Sequence, residues 1–268
     1  MLNQTCLFCQ SNTWKLAFEY TAPPSGENQF SMLTGDYHRT FWMCKNCGHY
    51  QASHPYELAE LYKGNYNQSL YHGEKLRQSF ERILSLPVQN SDNQNRIKFI
   101  QEFWRTYSCD QPQLLDVGSG TGVFPYAMSK AGWDCTASDP DVVVTQHLSE
   151  LGLKALCGDF FHLQPHKTFS LLSFNKVLEH VADPISMLQK AHHWLIPRGW
   201  VYVELPDGEI AARTGGEREE FFIEHYHAFS AASWELLVQK SGFQTQILQR
   251  LQEPSGKYTL RGLCRRPD

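Results

Sequence analysis

Apolar positions in the second half of this chain follow two alternating periods. From Leu114 onward, short apolar runs alternate with stretches whose apolar residues recur every three to four positions, the pattern of a parallel sheet covered by amphipathic helices. Strands are predicted at LLDV, at CTAS, just before Gly158, and over 169–174, 200–205 and 244–251. Helices are predicted over about 124–131, 142–151, 184–195 and 233–241, with Gly132 and Gly242 as stops. The last apolar run, 258–264, follows a loop holding Pro254 and Gly256, so an antiparallel hairpin should close one edge. The expected fold class is α/β, a doubly wound sheet of seven mostly parallel strands.

Upstream the pattern changes. ELAELYKGNYNQSLYHGEKLRQSFERIL reads as a short helix, a break at Gly64 and Asn65, and a longer helix, with Tyr62, Tyr66 and Tyr71 clustered as packing residues or a substrate-facing lid. Residues 95–107 carry Ile97, Phe99, Ile100, Phe103, Trp104 and Tyr107 at helical spacing. Before residue 55 there is little periodicity, and a stretch containing Pro23, Pro24, Ser25 and Gly26 needs outside help to fold. Three units follow: 1–54, a small metal-binding module; 55–108, a helical linker and lid; and 109–268, the alternating domain.

Cysteine spacing names the help. Cys6 and Cys9 form one C-x-x-C pair, and Cys44 and Cys47 form another. Two such turns supply the four thiolates of a closed tetrahedral structural zinc site. Gly48 follows the second pair, and His49 is a weaker substitute ligand. Cys109, Cys135, Cys157 and Cys264 are unpaired in spacing and read as small core residues. With 41% hydrophobic and 19% charged residues among 268 and a formal charge of −4, the chain has no basic footprint for nucleic acid. No stretch approaches the length of a membrane span and the start lacks an export signal, so a cytoplasmic setting with reduced thiols is expected.

The first strand of the alternating domain runs into LLDVGSGTG, which sets Gly118, Ser119, Gly120 and Gly122 at the crevice where such sheets bind ligands. Glycines alone discriminate poorly. A phosphate-binding P-loop needs Gly-Lys followed by Ser or Thr, which is missing, and a dinucleotide fingerprint needs glycine at position 123, which is Val. Asp116, two residues before the turn, disfavours a pyrophosphate and suits a ligand carrying an ammonium and a sulfonium. That charge logic points to S-adenosylmethionine. Asp139, about twenty residues on at the end of the second strand, is placed to accept from both ribose hydroxyls. Asp159, after the third strand, can take the adenine amino group while Phe160, by its ring or its backbone, packs on the base.

With LLDVGSGTG, ASDPD, CGDF, FNKVLEHVADP and LIPRGWVYVELPD in this order, the chain resembles class I S-adenosylmethionine-dependent methyltransferases from Leu114 to its end. The resemblance implies a Rossmann-like sheet, the methionine portion of the cofactor near Asp116, the glycine loop and Asn175, the ribose at Asp139, and the adenine at Asp159 and Phe160. LIPRG departs from the family's usual Lys-Pro-Gly-Gly turn. The cysteine module followed by this domain is similar to sugar C-methyltransferases that act on nucleotide-linked keto sugars.

Methyl transfer from a sulfonium chiefly needs alignment and exclusion of water, and a base where the acceptor must lose a proton. His180 in LEHV and the pair Glu224, His225 before the last helix are the candidates, and the resemblance implies a Glu-His pair on the acceptor side. In those relatives an aromatic hydroxyl stands two residues earlier, where this chain has Phe222. The polar segment 207–220 reads as a mobile loop after a strand, either a lid over the acceptor or an ordinary solvated insertion, and Arg213 and Arg218 as contacts for a phosphate if the acceptor is nucleotide-linked. The expected partner is a small polar acceptor, a sugar or nucleotide-linked sugar methylated at carbon or oxygen, with the chain a monomer or dimer. A natural-product acceptor, or a non-catalytic cofactor-binding scaffold that meets a protein partner through the zinc module, are the alternatives.

Overall fold

In the computed structural model, which describes residues 4–27, 37–56, 73–107 and 112–268, the two cysteine pairs lie beside one end of a small antiparallel sheet. Its strands β1 (Trp14–Tyr20), β2 (Arg39–Cys44) and β3 (Tyr50–Ser53) run in that order, with Trp14 opposite Cys44 and Tyr20 opposite Arg39. Two helices follow, α1 (Gly73–Leu84) and α2 (Asp92–Tyr107). The tyrosines at 62, 66 and 71 and Cys109 lie outside the described residues.

The alternating half folds as β4 (Gln113–Val117), α3 (Val123–Lys130), β5 (Asp134–Asp139), α4 (Val142–Glu150), β6 (Lys154–Cys157), β7 (Phe169–Asn175), α5 (Pro184–Lys190), β8 (Leu195–Pro206), α6 (Gly208–Ala211), β9 (His227–Ala228), α7 (Ala231–Lys240), β10 (Gln244–Gln252) and β11 (Tyr258–Arg265). Seven of these strands make one sheet in the order β10-β11-β8-β7-β4-β5-β6. Its pairs from β8 to β6 are parallel, and β11 runs antiparallel to both β8 and β10. This is the seven-stranded, mostly parallel sheet with an antiparallel edge that the apolar runs predicted.

Strict alternation along the central strands divides the core. Leu115, Leu172 and Val201 face one buried cluster, while their neighbours Leu114, Leu171 and Tyr202 face the other, as a period of two requires when helices cover both faces. Side chains close the helix starts: Asp141 accepts from the amides of Val143 and Val144, Asp183 from Ser186, and Ser230 forms a capping box with Ser233.

Three details depart from expectation. Helix α5 ends at Lys190 and β8 begins at Leu195, because buried Trp194 is drawn in by the Phe169 amide bonding its carbonyl; the LIPRG stretch is therefore the start of a strand. Cys157 is exposed at the end of β6, not a core residue. The strand β9, which no periodicity could reveal in two residues, leaves the large domain and pairs with β3, joining the small sheet as its fourth strand. Cys6, Phe8, Cys44 and Cys47 accordingly share one continuous core with Phe174, Trp234 and Phe229.

Candidate functional site

Adjacent strands β7, β4 and β5 carry their loops to one sheet edge, and most of the donor-side residues picked from sequence fall there. Beyond β4, Gly118 and Gly122 have φ of +69° and +76°, which side chains adopt only with strain. Both are also close approaches: a Cβ on Gly118 would stand 2.7 Å from Val177 Cγ2, and one on Gly122 2.5 Å from Leu148 Cδ2. The loop's amides are engaged internally. Gly118 and Ser119 donate to Ser138 O at 2.8 and 3.0 Å and Gly122 donates to Ser119 O at 2.9 Å, while Gly120 donates to Asp139 Oδ2 at 3.1 Å. Phosphate-cradling loops keep such amides aimed at the anion, so this turn is built for another ligand.

Asp116 lies buried beneath the loop, its Oδ1 accepting the Ser173 hydroxyl at 2.6 Å. Burial pushes its carboxyl up to about 6, against hydrogen bonds from Ser173 and Ser119 and the charge of Arg96. Asp139 ends β5 with Oδ1 on the Asp141 amide at 3.0 Å and Oδ2 on Gly120, and burial raises it also to about 6. Each of its oxygens retains accepting capacity, as two vicinal hydroxyls would need. At the end of β7, Asn175 Oδ1 is buried with no hydrogen-bond partner among the described residues, an orphan acceptor that an ammonium group fits. Asp159 caps its own turn, with Oδ1 on the Phe161 amide at 2.9 Å and Oδ2 3.3 Å from His162 Nδ1. Of the two ways in which Phe160 was expected to act, the structure leaves the backbone: its ring stacks at 5.7 Å on Trp194 and meets Phe174 edge-on inside the core.

The residues expected on the acceptor side border a cavity of about 280 Å³ that is lined mostly by charge. Carboxylates come from Glu179, Glu219, Glu220 and Glu224, and cations from Lys176 and Lys257. His180 and His225 meet in the wall with ring centroids 4.7 Å apart. Their tautomers follow from their partners: His180 Nδ1 contacts Glu224 O and His225 Nδ1 contacts Glu220 O, both at 3.0 Å. A carbonyl only accepts, so each Nδ1 carries the proton and each Nε2 bears a lone pair. Burial holds both rings neutral, His180 down to about 4 and His225 well below the usual imidazole range. Burial raises Glu224 to about 7 and Glu179 to about 8.

At the small sheet, the Sγ atoms of Cys6, Cys9, Cys44 and Cys47 all lie within 4.8 Å of one another. Cys6 stands 3.7 Å from Cys47, and Cys9 3.5 Å from Cys44. A tetrahedron with metal–sulfur bonds of about 2.3 Å has edges of about 3.8 Å, so four free thiols at this spacing fit such an ion. His49 does not join them: it is fully buried, with Nε2 3.1 Å from His227 Nδ1 and Nδ1 3.4 Å from Ser233 Oγ.

Comparison with known proteins gives this geometry its family. A model described as a methyltransferase domain matches residues 73–247, more than half of the chain. The chain belongs to that methyltransferase family. It is 32% identical over 118 residues to a ubiquinone biosynthesis O-methyltransferase of Hydrogenovibrio crunogenus, covering 41% of this chain and 48% of the relative. With the protein of the same name from Bordetella avium it is 27% identical over 176 residues, covering 61% and 70%. The chain spans about half the length of most of the curated relatives it matches. Among solved structures, its fold is similar to the 1,6-didemethyltoxoflavin-N1-methyltransferase of Burkholderia thailandensis with bound S-adenosylhomocysteine, at a TM-score of 0.60 and 16% identity over 92% of this chain and 100% of that one. The magnesium protoporphyrin IX methyltransferase of Synechocystis PCC 6803, also with bound S-adenosylhomocysteine, gives 0.59 and 12% over 78% and 100%.

Several features of the candidate site were not legible in the sequence. Lys176, Glu179, Glu219, Glu220 and Lys257 line the cavity, yet charged residues in this number ordinarily signal a solvated surface. Arg218, expected to meet a phosphate, instead places Nε and Nη2 on Glu220 at 2.9 Å each, and Arg213 lies 3.7 Å from Glu209. Within 207–220, α6 is capped by Asp207 and a short turn covers Glu219–Phe221. Among the described residues no helix is long and apolar enough to cross a membrane.

Proposed function

We propose that this chain is an S-adenosylmethionine-dependent methyltransferase acting on a small polar acceptor, a sugar or nucleotide-linked sugar, at oxygen or carbon. The observation that carries the reading is the cavity itself: its lining includes four glutamates, two lysines and two neutral histidines, a surface suited to a polyhydroxylated molecule and costly to desolvate against a lipophilic one. The curated relatives' names favour a hydroxyl acceptor, and hence transfer to oxygen.

Bound S-adenosylmethionine supplies an electrophilic methyl on a sulfonium. The chain's residues would hold it in the following way. Asn175 Oδ1 and the field of Asp116 meet the cationic methionine end; Gly118, Ser119, Gly120 and Gly122 let the ligand approach the backbone; Asp139 accepts from the ribose hydroxyls; Asp159 and the Phe160 backbone adjoin the adenine. On the acceptor side, His225 Nε2 takes the proton of the reacting hydroxyl or carbon, Glu224 holds a neighbouring hydroxyl, and His180 orders the Glu224 carbonyl. The four cysteines would hold a structural zinc ion, and residues 1–54, 55–108 and 109–268 are then its module, the linker and the transfer domain in a cytoplasmic enzyme.

A panel of nucleoside-diphosphate sugars, free sugars and a lipophilic quinone precursor incubated with methyl-labelled cofactor tests this. Label should enter a sugar, and His225→Ala should abolish it. Transfer to the quinone precursor alone would overturn the acceptor assignment, and failure to bind S-adenosylhomocysteine at high micromolar concentration would overturn the enzyme.

A further inference from the structure

The tripeptide Glu224-His225-Tyr226 hangs between two attachments to the amino-terminal sheet. Downstream, the Ala52 amide donates to Tyr226 O at 2.9 Å, Gln51 Nε2 donates to the same oxygen at 3.1 Å, and β9 pairs with β3. Upstream stands an ion pair from the same small unit. Arg39 and Glu27 are 1% and 7% exposed, with Arg39 Nη2 2.5 Å from Glu27 Oε1. Each partner also grips the strap that leads to the tripeptide: Arg39 Nη1 donates to Phe221 O at 2.7 Å, and Glu27 Oε1 accepts from the Ile223 amide at 2.8 Å. The guanidinium is held from its other sides by the Tyr37 hydroxyl and by the Tyr20 ring, 3.8 Å below it.

Such a pair is a poor device for stability alone, since desolvating two charges offsets most of their attraction. It is a good device for fixing geometry, because a planar guanidinium with several satisfied donors permits few arrangements. Gly26, next in the chain to Glu27, itself lines the acceptor cavity. We propose that Glu27 and Arg39 are positioning residues for the acceptor side: the amino-terminal sheet, through this pair, sets where Glu224 and His225 stand relative to the methyl donor.

This rests on the assignment of His225 to the acceptor, and the test separates the two. Around His225 the charged and titratable groups are Glu179 and His180 from the turn after β7, Lys176 at the end of that strand, Lys257 from the β10–β11 turn, and Glu219, Glu220 and Glu224 of its own strap. In the wild-type protein a pH titration of ring-labelled histidines should leave His225 neutral well below the ordinary imidazole range, because the ring is buried. In the variant Glu27→Gln/Arg39→Met, which removes both charges while Gln keeps an acceptor for Ile223, the strap loosens. Water reaches the ring, and His225 should titrate near the ordinary value of about 6.5. Calorimetry with S-adenosylhomocysteine should stay within about twofold of wild type, since no donor-side group has moved. On an acceptor from the panel, kcat should fall by roughly 10- to 100-fold with the KM for S-adenosylmethionine unchanged, the cost of misplacement by about 1 Å.

Arg39→Lys guards against a variant that does not fold: it retains the buried charge opposite Glu27 but loses the fork to Phe221, and should show the same changes in smaller degree. If in the folded variants His225 stays neutral over the same pH range as in the wild type, with backbone amide exchange over 222–226 and kcat unchanged, the positioning role is wrong. If His225→Ala retains turnover, the acceptor assignment has failed on its own account, whatever Arg39 does.

Discussion

Replacing Gly122 by alanine should damage stability and donor binding together, and its size can be worked out. The residue sits at φ +76°, so an added Cβ costs about 1–2 kcal/mol from backbone strain alone. The same Cβ would lie 2.5 Å from Leu148 Cδ2 and 3.3 Å from Leu151 Cδ1, where carbon pairs ordinarily stand about 3.5–4.0 Å apart. Leu148 is fully buried and cannot swing outward, so overpacking adds about 1–3 kcal/mol. The total is about 2–5 kcal/mol, which lowers the thermal midpoint by roughly 4–20 °C for a chain of this size. Gly132 is the control, with φ +91° but nothing within 4 Å of its added Cβ, so only the strain of about 1–2 kcal/mol applies. Gly122→Ala should also weaken S-adenosylhomocysteine binding by calorimetry, because relief requires the loop to lift from α4; Gly132→Ala should not. Gly122→Ala/Leu148→Ala should lose less stability than the sum of the two single variants, because the second change removes the obstacle to the first. Equal midpoints for the two glycine variants, with equal ligand affinity, would refute the close-approach argument.

Three other outcomes follow from the site. Purified protein should carry about one zinc ion per chain by metal analysis, and Cys44→Ser should lose it together with the thermal stability of the small sheet; a metal-free wild-type chain of unchanged stability would count against the cluster. Burial raises Glu224 to about 7, so if its carboxylate is the working form, kcat/KM should climb as pH passes through about 7, and Glu224→Gln should flatten that limb. Glu253 and Glu179, raised by burial to about 7 and 8, bind protons more tightly folded than unfolded. Their stabilising contribution is complete below the ordinary carboxylate range and lost as pH rises through those values, so urea midpoints should fall between pH 5 and 8.5, less so in Glu253→Gln.

How legible the molecule is from its sequence depends on how local each cause is. The strands β4 and β7 are buried along nearly their whole length, so hydrophobic runs betray them, and a C-x-x-C turn announces its chemistry within four residues. The glycine loop is equally local: its positive φ angles and its carboxylate are neighbours in the chain. β9 is the opposite case, two residues whose conformation is decided by β3, far away in sequence. In segment 207–220, Glu220 holds Arg218 and also accepts from the Tyr258 amide, 38 positions away, a bond that no local pattern announces. For Phe160 the sequence left open whether ring or backbone would meet the base, because register fixes a residue's position but packing, here against Trp194, fixes its ring.

The same division bears on the acceptor. Everything that shapes the donor side from β4 to Asn175 falls within the stretch shared with the methyltransferase family, residues 73–247. The acceptor cavity draws also on Gly26 and Lys257, and its strap is gripped by Glu27 and Arg39, all beyond that stretch. A relative that shares only the family segment therefore lacks the parts that fix this cavity's shape and charge, and its acceptor does not transfer with its name. If the cavity takes the acceptor, as proposed, the buried Glu27–Arg39 pair, the glycine beside it and a lysine from the edge hairpin would select the molecule that receives the methyl group. Changes at these positions should shift acceptor preference while leaving affinity for S-adenosylhomocysteine intact.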